Sequence, residues 1–110
     1  MRLVILESPY AGDIERNVAY ARECIRDCLL RGESPIASHL LFTQPGILRD
    51  DVPAERELGI AAGLEWVRVA DATVAYIDHG VSNGMARGIG AAVSAGLQVE
   101  YRVIYPVAAA

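Results

Sequence analysis

The sequence contains no lysine, and its ten basic residues are arginines scattered among fourteen acidic residues. The net charge of −4 argues against binding of polymeric nucleic acid, because that binding needs clustered cations to displace the counterions of the phosphate backbone. No apolar run reaches the roughly 18 residues of a membrane-spanning helix, and no signal-peptide pattern precedes the first predicted strand. A cytoplasmic protein without a membrane partner is therefore expected.

Cysteine is also scarce. Cys24 and Cys28 lie four residues apart in the apolar stripe of a predicted helix, which is typical of reduced core residues. Their spacing matches no metal site, so neither a metal nor another cofactor is expected. The 110 residues, 53% of them hydrophobic, suffice for one domain with a core, which we assign to residues 1–106, with residues 107–110 as a tail.

The segment 78–90 combines four glycines with polar side chains. It follows an apolar run, 72–77, that is typical of a buried parallel strand, and leads into a predicted helix, 85–95. Glycines disfavour helix formation, so their density indicates either a closely approaching ligand or tight packing of helix on sheet. Ligands collect at such loops because free N–H groups and the helix dipole point into the crevice. The candidate ligand contacts here are Asp78, His79, Ser82, Asn83, Gly84, Met85 and Gly88.

A second polar loop follows the predicted first strand, residues 3–6. It is either an ordinary turn or a ligand loop that faces the first one. Asp13 is placed to cap the next helix, which is amphipathic and ends near Gly32, and Asn17 lies one turn into that helix. The candidate ligand contacts of this region are Ser8, Pro9, Tyr10, Gly12, Asp13 and Asn17.

The middle of the chain predicts a short second strand, 36–38, opened by Pro35, with His39 at its end as either a structural histidine or a ligand contact. Asp50 and Asp51 are expected to cap a helix that runs from Pro53 to about Val69. On this helix a stripe of Gly59, Gly63 and Trp66 predicts either packing on the chain's own sheet or the interface of a homo-oligomer.

The last strand, 98–103, alternates polar and apolar residues as a half-exposed edge strand does. The β-α-β-α-β-α-β order then predicts a three-layer, flavodoxin-like or Rossmann-like α/β sandwich with a parallel sheet ordered 2-1-3-4. The switch point between strands 1 and 3 places residues 7–13 opposite residues 78–84, so fold and motifs indicate one crevice.

Four motifs in combination resemble the nucleoside 2-deoxyribosyltransferase-like superfamily, in particular its small bacterial and phage members. They are Ser-Pro-Tyr-Ala-Gly-Asp at 8–13 with Asn17, Pro-Ile-Ala-Ser-His-Leu-Leu-Phe at 35–42, Asp-Asp-x-Pro-x-Glu-Arg-x-x-Gly at 50–59, and Ser-Asn-Gly-Met at 82–85. The resemblance implies a flavodoxin-like sheet, a small nucleoside or nucleotide ligand in the crevice, and oligomers whose sites borrow residues from a neighbour.

The resemblance also implies a nucleophilic glutamate in a Gly-Met-x-x-Glu pattern, preceded by an acidic residue. Here residues 84–88 read Gly-Met-Ala-Arg-Gly, and the preceding residue is Asn83, so Gly88 stands at the nucleophile's position and two negative charges are missing. One hypothesis is a binding protein that holds its ligand intact, as a sensor or sponge of a nucleotide signal. The other is an N-glycosidase or deoxyribosyltransferase with a relocated carboxylate, for which the candidates are Asp78, Glu7 and Asp13. A glutamate restored at residue 88 should not lower stability on local grounds, since it favours helix more than glycine does.

Overall fold

The computed structural model describes residues 1–106, which form a parallel four-stranded sheet with the order β2-β1-β3-β4. Its strands are β1 (Arg2–Glu7), β2 (Glu33–Ile36), β3 (Ala72–Tyr76) and β4 (Gln98–Arg102). Its helices are α1 (Ile14–Leu30), α2 (Ser38–Leu41), α3 (Pro53–Leu64), which continues as a 3₁₀ turn (Glu65–Arg68), and α4 (Asn83–Ser94). The predicted α/β class and strand order are confirmed. The tail predicted at residues 107–110 lies outside the described residues.

The alternation of side chains along β1 separates the two faces of the sheet. Val4 and Leu6 join Tyr20 and Cys24 of α1 in the main core cluster. Ile5 and Glu7 point to the opposite face, where they line a cavity together with residues of α3 and α4. The sheet is thus covered on both faces, and β1 supplies core residues to one face and cavity residues to the other.

The predicted second strand is wrong in position. β2 covers Glu33–Ile36, and residues 38–41 form helix α2 instead. Pro35 lies within β2, paired with Val4, which is possible because β2 is an edge strand whose outer N–H groups need no partner. As a consequence, His39 stands on a short helix rather than at the end of a strand.

The predicted capping of α3 is also wrong, since its N-cap is Val52, which makes no side-chain capping hydrogen bond. The Arg56 guanidinium donates instead to both Asp50 oxygens, at 3.0 and 3.1 Å, and Asp51 pairs with Arg49. The remaining predicted boundaries agree with the structure to within two residues. No helix within residues 1–106 is long and apolar enough to cross a membrane.

A buried ion pair connects the two edge strands across the sheet. Arg102 of β4 donates through both terminal nitrogens to the Glu33 carboxylate of β2, each at 2.7 Å, and the two side chains are only 9% and 6% exposed. The hydrogen bonds from Arg102 hold the pKa of Glu33 below its usual value. The ion pair therefore stabilises the two edge strands, β2 and β4, together.

Candidate functional site

A cavity of about 380 Å³ opens at the carboxyl end of β1, between the loop that follows this strand, helices α2 and α3, and the start of α4. Its volume is within the range of small-molecule sites. The residues proposed from the sequence that line it are Glu7, Ser8, Tyr10, Gly12, His39, Ser82, Asn83, Gly84, Met85 and Gly88. The structure therefore brings the two polar loops together at the switch point of the sheet.

The N-terminus of α4 forms one wall of this cavity. The Ser82 side chain caps the helix by accepting a hydrogen bond from the Met85 N–H at 3.3 Å. The first intrahelical bond runs from the Ala86 N–H to the Ser82 carbonyl, so the N–H groups of Asn83 and Gly84 precede the helical pattern. They are free to meet an acceptor or an anion, which the positive end of the helix dipole also favours.

Glu7 lies directly over Gly88. A Cβ atom added at residue 88 would stand 2.5 Å from the Glu7 carboxyl carbon and still closer to both carboxyl oxygens. The Glu7 carboxyl thus occupies the space that a side chain at residue 88 would enter. A side chain at residue 88 therefore requires the end of the flexible Glu7 side chain to move, a cost that helix propensity alone does not include. The effect of a glutamate at residue 88 on stability stays a prediction.

Burial raises the pKa of Glu7 to about 8. No charge or hydrogen bond from the described residues contributes to this shift. A carboxyl in such a place is neutral at pH 7, when it carries a proton that it can donate. Sequence reasoning named Glu7 as a candidate carboxylate, but it could not show that this residue and Gly88 compete for one volume.

His39 shares a hydrogen bond with Ser8, with 2.7 Å between Nε2 and the Ser8 oxygen. Burial lowers the pKa of His39 to about 4, so the imidazole is neutral at physiological pH. His39 is therefore both a partner of a buried hydroxyl and a residue of the cavity lining. It has a structural contact, and its place in the lining keeps the predicted ligand contact open.

The far wall of the cavity was not predicted. It comes from α2, α3 and the loop between them, and the Arg56–Asp50 pair is its charged part. Two signals in the sequence could have indicated this wall. They are the long loop before Asp51, since such loops often close over a site, and the motif at 50–59. The apolar residues of this wall are Phe42, Leu48, Ile60, Leu64 and Val67.

The two glycines of the α3 stripe face this chain rather than a neighbour. A Cβ at Gly59 would stand 3.2 Å from Leu48 Cδ1, and one at Gly63 would stand 3.0 Å from Ser38 Cβ. They let α3 approach the loop and α2 closely. Trp66 is different, since it is 41% exposed on the 3₁₀ turn.

Asp78 and His79 lie outside the cavity, in contrast to the sequence-based expectation. Asp78 accepts hydrogen bonds from the Tyr20 hydroxyl at 2.5 Å and from the backbone N–H groups of Ile104 and Tyr105 at 3.0 and 2.8 Å. Burial alone would raise the pKa of Asp78, but these hydrogen bonds outweigh it and lower the pKa. His79 is exposed and packs on the Tyr20 ring at 4.5 Å. Asp78 thus connects the segment after β4 to α1.

Three further candidates, two in the first loop and one on α1, also lie outside the cavity. Asp13 caps α1 by accepting from the Arg16 N–H at 3.2 Å, and Pro9 is buried. Asn17, 1% exposed, donates to the carbonyls of Tyr10 and Ala11 at 2.9 and 3.1 Å. Asn17 therefore holds the loop that presents Tyr10, and acts on the cavity as a positioning residue.

The cavity offers mainly hydrogen-bonding groups. They are a protonated carboxyl, a neutral imidazole, free N–H groups at a helix start and a guanidinium that already has a carboxylate partner, and Glu55 adds a further acidic group to the lining. Within residues 1–106, no three His, Cys, Asp or Glu side chains converge as metal ligands. The site is thus suited to recognition by hydrogen bonds and stacking.

The architecture is an α/β fold shared with a solved 2-deoxyribosyltransferase from the psychrotolerant bacterium Bacillus psychrosaccharolyticus, an enzyme described as a biocatalyst for nucleoside synthesis. The two structures superpose with a TM-score of 0.64 and 21% sequence identity, over 98% of this chain and 77% of that one. No protein of curated function matches the sequence. The chain belongs to the family described as Domain of unknown function (DUF7768), whose model matches residues 2–102.

Proposed function

We propose that the cavity binds a nucleoside or nucleotide and holds it intact, so that the protein serves as a sensor or sponge of a nucleotide signal. The observation that carries this proposal is the Glu7–Gly88 contact. Position 88 has no side chain to attack a sugar, and the carboxyl in its place is protonated at neutral pH, when it is a poor nucleophile. Retention of a bound ligand follows from this lack of an ionised, positioned nucleophile.

The cavity walls suggest how such a ligand lies. A phosphate or sugar hydroxyl fits at the start of α4, where the N–H groups of Asn83 and Gly84 are free. The half-buried Tyr10 ring is placed in the lining to stack on or hydrogen-bond the ligand. The apolar wall formed by α2 and α3 suits the face of a base. A phosphorylated ligand is repelled less by an uncharged carboxyl at residue 7 than it would be by the two carboxylates that the resemblance implies at positions 83 and 88.

A second candidate function is N-glycosidic cleavage or deoxyribosyl transfer with a relocated carboxyl. Glu7 favours it, since it lines the cavity and its proton could be given to a departing base as general acid. Asp78 and Asp13 do not fit this role, because neither lines the cavity. The groups of the lining that could activate water for such an enzyme are Glu55 and His39, and the Nε2 atom of His39 is already bonded to Ser8.

The binding proposal is tested with a panel of ribonucleosides, 2′-deoxynucleosides and their 5′-phosphates by calorimetry. Tyr10→Ala should weaken the tightest ligand roughly 5- to 100-fold, the range of base–aromatic stacking, with little change in thermal stability. Asn83→Ala should also weaken it, because the variant keeps the backbone N–H but removes a side-chain amide from the cavity lining. Tyr101→Ala is the matched control, since Tyr101 is 57% exposed on β4 and outside the cavity lining. If the wild-type protein bound no panel member, the proposal would fail.

We also propose a cytoplasmic homo-oligomer. The free, buried thiols of Cys24 and Cys28 suit a reducing compartment. Trp66 and Val69 are 41% and 59% exposed and share a shallow apolar groove with Leu3, a surface that a second subunit could cover. Sedimentation velocity should show an oligomer that Trp66→Ala weakens, and a wild-type monomer at micromolar concentration would contradict this.

A further inference from the structure

Glu7 has no evident role in the stability of the fold. It is the last residue of β1, in register with Ala75 of β3, and its side chain extends into the cavity above α4. Glu7 is half-buried, and within residues 1–106 no hydrogen bond or ion pair involves its carboxyl, so its position in a cavity wall indicates a role toward a ligand. The glycine at residue 88 fits that interpretation, because only glycine leaves the carboxyl its place.

We propose that Glu7 contacts the ligand directly as a hydrogen-bond donor, from the space that a side chain at residue 88 would otherwise fill, and that it selects ligands presenting an acceptor or an anionic group there. This inference rests on the proposed function, and it adds the residue that determines ligand specificity. Ligand binding then depends on the proton of the Glu7 carboxyl.

The surroundings of Glu7 favour the protonated form. From α4 it meets Gly88, and α2 contributes the neutral imidazole of His39. On the side of α3, the charged groups of the cavity lining are Glu55 and the Arg56 guanidinium, the latter already paired with Asp50. The phenol of Tyr10 completes the titratable groups of the lining. Burial is thus unopposed, which places the pKa of Glu7 at about 8.

Two different pH dependences follow. A neutral nucleoside that accepts a hydrogen bond from Glu7 loses that bond when the carboxyl ionises. A 5′-phosphate, whose second ionisation is near pH 6, is additionally repelled by the new negative charge. Affinity for the phosphate should consequently fall more steeply between pH 7 and 9 than affinity for its nucleoside.

The first experiment needs no ligand. Carbon-13 NMR of protein labelled at the glutamate carboxyl carbons, with the Glu7 resonance assigned by its loss in Glu7→Gln, gives the titration midpoint of this residue. A midpoint near 8 is expected. A midpoint near the ordinary value of 4.5 would overturn the inference, since no proton would then be available for donation at neutral pH.

The second experiment measures affinity for the tightest nucleoside of the panel and for its own 5′-monophosphate at pH 7 and 9. Wild type should lose roughly 10-fold in affinity for the monophosphate over this interval, and less for the nucleoside. Glu7→Gln keeps a donor of the same length but no titrating proton, so its affinities should be retained and independent of pH. Glu7→Ala should bind at least roughly 10-fold more weakly at pH 7.

Glu15→Gln is the matched control, because Glu15 is exposed in the first turn of α1 and outside the cavity lining, and it should reproduce the wild-type pH profile. Unchanged affinity in Glu7→Ala would overturn the inference while leaving the proposed function intact. Absence of binding to every probe in wild type would refute the proposed function, and with it the ligand contact assigned to Glu7. The NMR midpoint would still decide whether the carboxyl carries a proton.

Discussion

Replacing Glu7 by glutamine should remove the loss of stability that wild type shows as the pH rises above 6.5. The pKa of Glu7 is about 8 in the folded protein against an ordinary value of 4.5, so the folded state binds the extra proton between these limits. Where the folded state binds more protons than the unfolded state, stability falls as pH rises. The full effect is about 5 kcal/mol of destabilisation, complete above pH 8, and Glu7→Gln abolishes it.

His39 acts in the opposite direction at lower pH. Its pKa is lowered from 6.5 to about 4, so the unfolded state binds the extra proton and stability rises between these values, by about 3 kcal/mol in all. The two slopes nearly cancel from pH 4.5 to 6.5 in wild type. Above pH 6.5 only the Glu7 contribution remains, and wild-type stability should fall by about 2 kcal/mol up to pH 8. In Glu7→Gln it should rise to pH 6.5 and then stay level.

The assay is urea unfolding followed by the fluorescence of Trp66, the single tryptophan of the chain, at half-unit steps from pH 4 to 9. The difference between Glu7→Gln and wild type, rather than either curve alone, isolates the titration of residue 7. Glu15→Gln should run parallel to wild type. Parallel curves for Glu7→Gln and wild type between pH 5 and 9 would refute the assignment of a buried, protonated carboxyl.

Three further predictions follow from single contacts. Gly90→Ala should stabilise the protein by up to about 1 kcal/mol, because the space around residue 90 is open. Gly88→Ala on the same helix should destabilise the protein by about 1–3 kcal/mol unless Glu7→Ala is also present. Equal effects of the two glycine variants would contradict the contact with Glu7. Arg102→Met should lower the free energy of unfolding by up to about 3–5 kcal/mol, because the buried Glu33 carboxylate then keeps only its longer, 3.4 Å contact with Arg2. Glu33→Gln in addition should restore part of the loss, and a loss below about 1 kcal/mol in urea unfolding would argue against a buried pair. Asp78→Asn should destabilise the folded protein by about 1–3 kcal/mol at pH 7 and by less at low pH, since a carboxylate with a lowered pKa stabilises only while it is ionised. Calorimetry should find the ligand affinity unchanged. Lost affinity at unchanged stability would place Asp78 in the site.

The sequence predicted the strand order because apolar runs and helical periodicity are local signals, and right-handed crossovers then leave few topologies. It misplaces β2 because proline in a sequence favours the start of a strand over its interior. An edge strand accepts proline in its interior, and edge position is a property of the completed sheet.

The site was harder to predict because side-chain direction is set by tertiary contacts. Asp78 and Tyr10 both follow strands at the switch point, but Asp78 turns to the Tyr20 hydroxyl and the backbone after β4, whereas Tyr10 lines the cavity. The sequence suggests Asn17 as a ligand contact, but its amide nitrogen donates hydrogen bonds to two carbonyls of the loop. The meeting of Glu7 with Gly88, 81 positions apart in the chain, has no local signal at all.

The fate of a bound ligand tests the central claim most directly. Wild-type protein is incubated with its tightest nucleoside or nucleotide at pH 7 and, separately, at pH 9, where Glu7 is ionised. Ligand and free base are then quantified by mass spectrometry over time, with Glu7→Ala as the matched blank. Full recovery of intact ligand from wild type at both pH values is the result expected of a protein that binds without cleaving. Free base that accumulates with wild type and is absent with Glu7→Ala would contradict the account and establish Glu7 as the relocated carboxyl of an enzyme.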